Sequence, residues 1–433
     1  MANYVFETMT ATDASNFTST DRLFFESASV STLGVTDNPA VSGPLSSSAE
    51  SITLTSGAHS LTFAATQLSY ASTHDGLIFV NGDELEVGTG AANTLAFTTD
   101  AGAGHHTAVY GFDGNDTISG TSTANDTLYG GAGNDVIHGS SGFTDAAHHY
   151  TESDYYMGGD GGDSIVGGDG NDHIFGNLAS STAGAADGND TIQAGIGNDY
   201  VNGNAGDDSI NGGDGNDRLY GGAGNDIIGG GNGNDYMQGN KGDDTLQGFT
   251  GDDTIHGGQG NDVVRGISGN DHVFGDNGDD TITGDSGLDT LTGGAGNDVF
   301  IFFAGNASNA NVSDTTSTAA GIVDTITDFT TGEDHISLAN GGSAPPGFVN
   351  FVYHQAAGVT FTSAAAAQVY AEQLMDNGTH TGEVAAIQVG ADTYLFYNDT
   401  NHDVTGADAA HSINEAIKLT GVTASAITTD DFI

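Results

Sequence analysis

The chain has 433 residues, of which 58 are Asp or Glu and five are Lys or Arg, giving a formal charge of −53 at pH 7. Phosphate binding needs cations, so nucleic acid is excluded as a partner, and charge-driven docking on an anionic membrane is equally disfavoured. There is no cysteine and no apolar run long enough to span a bilayer, so a fold of this size outside a cell has to be held by something other than disulfides, for which a metal is the usual substitute.

The N-terminal stretch MANYVFETMTATDASNF lacks a basic segment followed by an apolar one, so a cleaved signal peptide is not expected. Residues 1–105 alternate Ser and Thr with apolar residues in SITLTS, SLTFAA and GLIFVNGDELEVG. This period of two predicts a small β-rich interaction or anchoring domain, with Asn81–Gly82 as a tight turn between two strands.

A different pattern governs residues 106–301. Asp116, Asp126, Asp135, Asp154, Asp163 and Asp172 open a series with a few insertions. It then runs at unbroken nine-residue intervals through Asp190, Asp199, Asp208, Asp217, Asp226, Asp235, Asp244, Asp253, Asp262, Asp271, Asp280, Asp289 and Asp298, making 19 units in all. Two segments interrupt it, SSGFTDAAHHYTES at 140–153 and NLASSTAGA at 177–185. The second has the length of one unit but carries Ser181 in the aspartate slot, and both a degenerate repeat and a loop fit it.

Residues 302–433 form a third region, entered through the aromatic run VFIFFAG and continuing through VDTITDFTTGEDHISL. Pro345–Pro346 marks a loop, and TSAAAAQVYAEQLMDNG predicts a helix over 362–378, with Ser363 to cap its start and Gly378 its end. Strands are expected at EVAAIQV and TYLFYN.

Each unit of the array reads G-G-x-G-N/D-D-x-U-x with U apolar, as in Gly221, Gly222, Ala223, Gly224, Asn225, Asp226, Ile227, Ile228 and Gly229. The glycine half has to bend, because glycine reaches positive φ at no steric cost, and the x-U-x half extends with U turned inward. Two units therefore make one coil, and stacked coils make an all-β fold, a parallel β-roll cored by Ile192, Val201, Ile210, Leu219 and Ile228. Coils about 4.8 Å apart stack the aspartates at that spacing. Each like-charged pair then costs roughly 0.9 kcal/mol in water and about 3.5 kcal/mol at an effective dielectric of 20. A thin aliphatic core does not overcome that alone. Calcium does, since it accepts six to eight oxygens in flexible geometry, carboxylate and carbonyl alike, whereas magnesium is reluctant to dehydrate. The 19 aspartates are thus candidate calcium ligands.

The nonapeptide resembles the repeats-in-toxin (RTX) calcium-binding repeat. That resemblance implies a β-roll that forms only with calcium, and one-step (type I) secretion on an uncleaved C-terminal signal. VDTITDFTTGEDHISL resembles the segment that follows such arrays, which implies further calcium ligands at Asp324, Asp328 and Asp334. The tail TTDDFI resembles the end of a type I signal.

No HExxH helix and no GxSxG elbow occurs, and GDSG at 284–287 lies in repeat register, so the chain reads as non-enzymatic. Fifteen histidines, among them His138, His173, His256 and His272 beside U positions, read as polar residues on a sheet face ahead of a transition-metal site. NDTNHDVTGAD at 398–408 begins like an EF-hand loop, but Val404 and Ala410 replace the residues that such a loop needs. No regular threonine file occupies the third slot, which argues against ice binding. The reading is a secreted, extracellular or cell-surface structural protein that folds with calcium and self-assembles as a homo-oligomer or polymer: a surface layer, filament or matrix. Likeness to RTX surface-layer proteins implies that residues 1–105 attach to cell-surface lipopolysaccharide or to the next subunit. An adhesin that binds a surface or polysaccharide through 1–105 is the alternative, and an RTX-tailed enzyme the third.

Overall fold

The computed structural model describes residues 3–5, 22–25, 34–38, 42–43, 46–47, 51–56, 59–64, 77–79, 84–88, 92–96, 106–120, 125–139, 153–177, 187–304, 324–340, 352–355, 361, 367, 383–397 and 415–433. They fall in two compact units, Met1–Tyr220 and Gly221–Ile433.

In the first unit the alternating segments form strands as expected. Ser51–Ser56 and His59–Ala64 pair antiparallel, with Gly34–Asn38 on the far side of the former. The expected turn at Asn81–Gly82 lies outside the described residues, and the strands flanking it are not a hairpin. Leu77–Phe79 runs parallel to Arg22–Phe25, whereas Glu84–Val87 runs parallel to His106–Asp113. A two-residue turn requires antiparallel neighbours. Here each strand instead finds a parallel partner, and Leu85 and Val87 are buried by theirs.

From there the chain winds into two facing parallel ladders. One holds Thr94–Ala96, Thr117–Ser119, Val136–His138, Ser164–Asp169, Thr191–Ile196 and Ser209–Asp214. The other holds Glu84–Val87, His106–Asp113, Asn125–Ala132, Tyr155–Asp160, His173–Phe175 and Tyr200–Ala205. The ladders thus take in two strands ahead of residue 106, where the aspartate series was expected to open its domain. The U residues close the core between them: Ile118, Ile137, Ile165 and Ile192 from one side and Val109, Leu128, Ile174 and Val201 from the other are all at most 1% exposed.

Strand pairing runs directly across both interruptions. Ser164–Asp169 pairs directly with Thr191–Ile196, and His173–Phe175 with Tyr200–Ala205, across the 177–185 segment. A nine-residue strand-forming unit there would have swapped the ladders, because strands alternate sides every nine residues. Ser181 itself lies outside the described residues.

The second unit repeats the plan. Ile227–Asn232, Thr245–Thr250, Val263–Ser268, Thr281–Ser286, Val299–Ala304 and His335–Asn340 form one ladder. Tyr236–Lys241, Thr254–Gln259, His272–Asn277, Thr290–Ala295 and Asp324–Ile326 form the other. The latter passes from parallel to antiparallel through Glu415–Leu419, Asp392–Tyr397 and Glu383–Val389, so the expected strands 383–389 and 393–398 are present within a residue. Of the helix expected over 362–378 only Ala367 is among the described residues; it is helical and fully buried, against Ala385, Ile387 and Phe396. The EF-hand-like segment 398–408 lies outside them. No described helix is long and apolar enough to cross a membrane.

Candidate metal centre

Where the motif is complete, three glycines precede the aspartate, two for their backbone angle and one for the space it leaves. In the unit ending on Asp226, Gly222 has φ 120° and Gly224 φ 133°, the left-handed side that L side chains rarely adopt. Gly221 instead provides space, since a Cβ there would collide with Asp226 Oδ2. The same crowding recurs along the array, with Gly239 against Asp244, Gly257 against Asp262 and Gly275 against Asp280. In these three the main-chain carbonyl of the glycine one coil further on (Gly257, Gly275 and Gly293) faces the same spot.

The bend buries the carboxylates. All 19 aspartates of the series are at most 3% exposed. Within each unit, every aspartate after the first on its turn accepts through Oδ1 a hydrogen bond from the backbone N–H of the aspartate one coil earlier. In the first unit Asp116 N donates to Asp135, Asp135 N to Asp163, Asp163 N to Asp190 and Asp190 N to Asp208, at 2.7–2.8 Å. On the opposite turn Asp126 N donates to Asp154, Asp154 N to Asp172, Asp172 N to Asp199 and Asp199 N to Asp217, at 2.7–3.0 Å. In the second unit one file runs Asp226, Asp244, Asp262, Asp280, Asp298. The other runs Asp235, Asp253, Asp271, Asp289.

Two of the three C-terminal candidates close these files. Asp324 Oδ1 accepts Asp289 N at 2.9 Å and Asp334 Oδ1 accepts Asp298 N at 3.0 Å, and both aspartates are buried. Asp328 is placed differently: its two oxygens accept Gly293 N and Gly294 N, so it caps the end of a ladder. At the other end the files begin on residues without the repeat motif: Asn93 N donates to Asp116 Oδ1, and the Thr107 hydroxyl to Asp126 Oδ1.

The second carboxylate oxygen is where the sites are incomplete. Oδ2 of Asp116, Asp135, Asp163, Asp172, Asp190, Asp199, Asp244, Asp253, Asp262, Asp271, Asp280, Asp289 and Asp298 is buried and accepts no hydrogen bond. Leaving one such atom unmet costs about 1–3 kcal/mol, more for a charged group, and native folds do not keep a row of them without compensation. Burial foremost, joined in many of them by neighbouring carboxylates, therefore holds the carboxyls far above their usual range. Asp116, Asp135, Asp199, Asp244, Asp280 and Asp289 rise to about 6. Asp163, Asp253, Asp262 and Asp298 rise to about 7, Asp172 and Asp271 to about 8, and Asp190 to about 9. Among the described residues no three His, Asp or Glu side chains converge. Each place is thus one carboxylate oxygen beside main-chain carbonyls, all acceptors, which suits a hard cation such as calcium and no hydrogen-bond donor of the chain.

One position departs from the rule. Tyr156 stands in a U slot, fully buried, and its hydroxyl donates to Asp154 Oδ2 at 2.7 Å. A second carboxylate escaped the spacing argument. Asp187, outside the nine-residue series, accepts Ala205 N through Oδ2 at 2.9 Å and buries an unbonded Oδ1. Its only sequence signal is the acidic residue three positions before Asp190.

Comparison with known proteins agrees with this geometry. A family model described as the RTX calcium-binding nonapeptide repeat (4 copies) matches residues 110–143, 151–181, 185–219, 194–228, 203–237, 229–264 and 265–300. No curated protein matches the chain.

Proposed function

Starting from an RTX calcium-binding repeat protein whose array binds several calcium ions across residues 110–300, we propose that the 19 aspartates of the series are the ligands, joined by Asp324 and Asp334 at the closing end. The row of buried Oδ2 atoms that accept nothing carries this reading. Asp328 joins them only through the lone pairs left after its two caps. Calcium, when bound, supplies the positive charge and the oxygen coordination that the turns lack. The chain's own residues hold the carboxylates in register, exclude water and keep carbonyls beside them.

RTX repeat proteins are typically secreted. The proposal extends to this chain: it is exported by the type I route, folds outside on meeting calcium, and serves as a non-catalytic structural protein that assembles with copies of itself. Residues 1–105 are assigned to anchoring or subunit contact, apart from Glu84–Val87 and Thr94–Ala96, which belong to the roll's ladders; 106–301 are assigned to the roll and 302–433 to the cap and export signal. In support of assembly, Thr94–Ala96 ends its ladder among the described residues, and an open parallel edge calls for a cap or a partner. Electron microscopy of the purified chain with and without calcium tests it: ordered polymers appearing only with calcium are expected. Calcium-folded monomers that coat a polysaccharide or cell surface would establish the adhesin reading in its place.

A further inference from the structure

The two faces of the roll in the first unit differ chemically. On the ladder that contains Tyr155–Asp160, the positions flanking the core residues carry a file of aromatic rings: Tyr110, Tyr129, Tyr155, Phe175, Tyr200 and Tyr220. Successive ring centroids lie 4.6, 6.2, 5.4, 5.6 and 5.4 Å apart, one ring per coil. All six are half-buried. Tyr110 and Tyr129 lie nearly parallel, 10° apart, and Phe112 and His173 stack on Tyr110 and Tyr200, each at 25°, but the next four pairs along the file are tilted by 49°, 39°, 43° and 41°, so these rings are not packed face to face with one another. The opposite ladder, with the same coil spacing and the same apolar core, places Thr117, Ser164, Thr191, Gln193, Ser209 and Asn211 at equivalent positions, together with Val136, Val166 and one imidazole, His138, and no Tyr or Phe among its described residues. Core stability does not require that asymmetry.

We propose that this aromatic file is a binding platform for an uncharged, extended polysaccharide chain. Aromatic rings with a polar tip offer both a stacking face for the C–H side of a pyranose and a hydroxyl for its alcohols. The spacing along the file is close to the advance of one pyranose along an extended glycan, so consecutive sugars meet consecutive coils. Charge selects among ligands that stack. Nucleobases use such files too, but their phosphates are repelled by a chain of net charge −53 with five cations. No carboxylate stands at the positions flanking the core on this face between residues 106 and 220, so nothing there draws a cationic partner. The inference needs the calcium-folded roll but neither self-assembly nor the assignment of 1–105.

The test uses the full calcium-loaded chain and a set of neutral polysaccharides (soluble β-1,4-glucan, soluble β-1,3-glucan and colloidal chitin), with a polyanionic glycan as comparison. Co-sedimentation and affinity electrophoresis are expected to show binding to at least one neutral chain. Tyr155→Thr with Tyr200→Thr is expected to weaken it tenfold or more, while Gln193→Ala with Asn211→Ala on the other face leaves it unchanged. The calcium midpoint of folding shows whether the threonine variant is folded. If that variant is unfolded, nitration of the wild-type tyrosines decides in its place, and the bound polysaccharide must protect Tyr155 and Tyr200. Absence of binding to every neutral chain, binding undiminished in the folded threonine variant, or unprotected tyrosines would each overturn the proposal. So would a dimer of wild-type chains that the threonine variant abolishes, which would give this face to a second copy.

Discussion

Stripping calcium at pH 8 should unfold the array, and acidifying it afterwards should largely restore it. Without metal, Asp172 is pushed up to about 8, Asp190 to about 9 and Asp163 to about 7, by burial first and then by adjacent aspartates. In an open chain a carboxylate titrates near 3.9. Between those values the metal-free fold holds more protons than the unfolded chain, so its stability is greatest in acid and falls as the pH rises through 7 to 9. Going from pH 5 to pH 8 removes about 3 kcal/mol at Asp163 and about 4 kcal/mol at each of the other two. Asp163 raises Asp190, so the shifts are not independent, but together they remove several kcal/mol, a large share of the stability of an ordinary domain. Far-ultraviolet circular dichroism in excess chelator should therefore show the β signal lost at pH 8 and largely regained near pH 5. With calcium present the sign reverses, because ligands must be deprotonated and acid competes with the metal. A full β signal at pH 8 in excess chelator, or no gain on acidification, would refute the reasoning.

Gly257→Ala puts a methyl group into the space held by Asp262 Oδ2 and the Gly275 carbonyl. It should cost about 1–3 kcal/mol and raise the calcium midpoint severalfold, read by calcium titration of the β signal. Ile267 holds φ 83° in the slot where Gly222 sits in its own unit. Relief of a β-branched residue there should make Ile267→Gly stabilising by about 1 kcal/mol in thermal melts with calcium, after the entropy that glycine loses. Tyr156→Phe removes the donor from Asp154 Oδ2. It should destabilise by about 1.5–3 kcal/mol at low calcium, with the deficit shrinking at high calcium as a cation takes the place of the hydroxyl.

Most of the roll was legible because nine residues encode a whole half-coil. Glycines at fixed offsets specify the bend, the aspartate sits at its inner corner, and a single apolar residue two positions later specifies the inward face. The parallel ladders and the Ile and Val core follow from that interval. What was illegible depends on partners distant in sequence. Nothing near Asn93 or Thr107 announces that they start the files, and Tyr156 reads only as one more apolar U residue until its hydroxyl is placed against Asp154. The segment at 177–185 has the length of a unit, and only the direct pairing of the strands on either side shows that the ladders continue past it. Asp328 shares its composition with Asp324 and Asp334, but the glycine amides it caps belong to a unit more than thirty residues earlier.

The direction of the hydrogen bonds along the turns makes the two ends of the roll unequal. An aspartate amide is satisfied only by the carboxylate of the coil that comes after it, never by the one before. A chain cut anywhere inside the array therefore leaves its last two turns with buried amides that have no acceptor. Asp324 and Asp334 end that sequence from outside the repeats, so the stack is finished from its C-terminal side, like an arch that stands once the last stone is set.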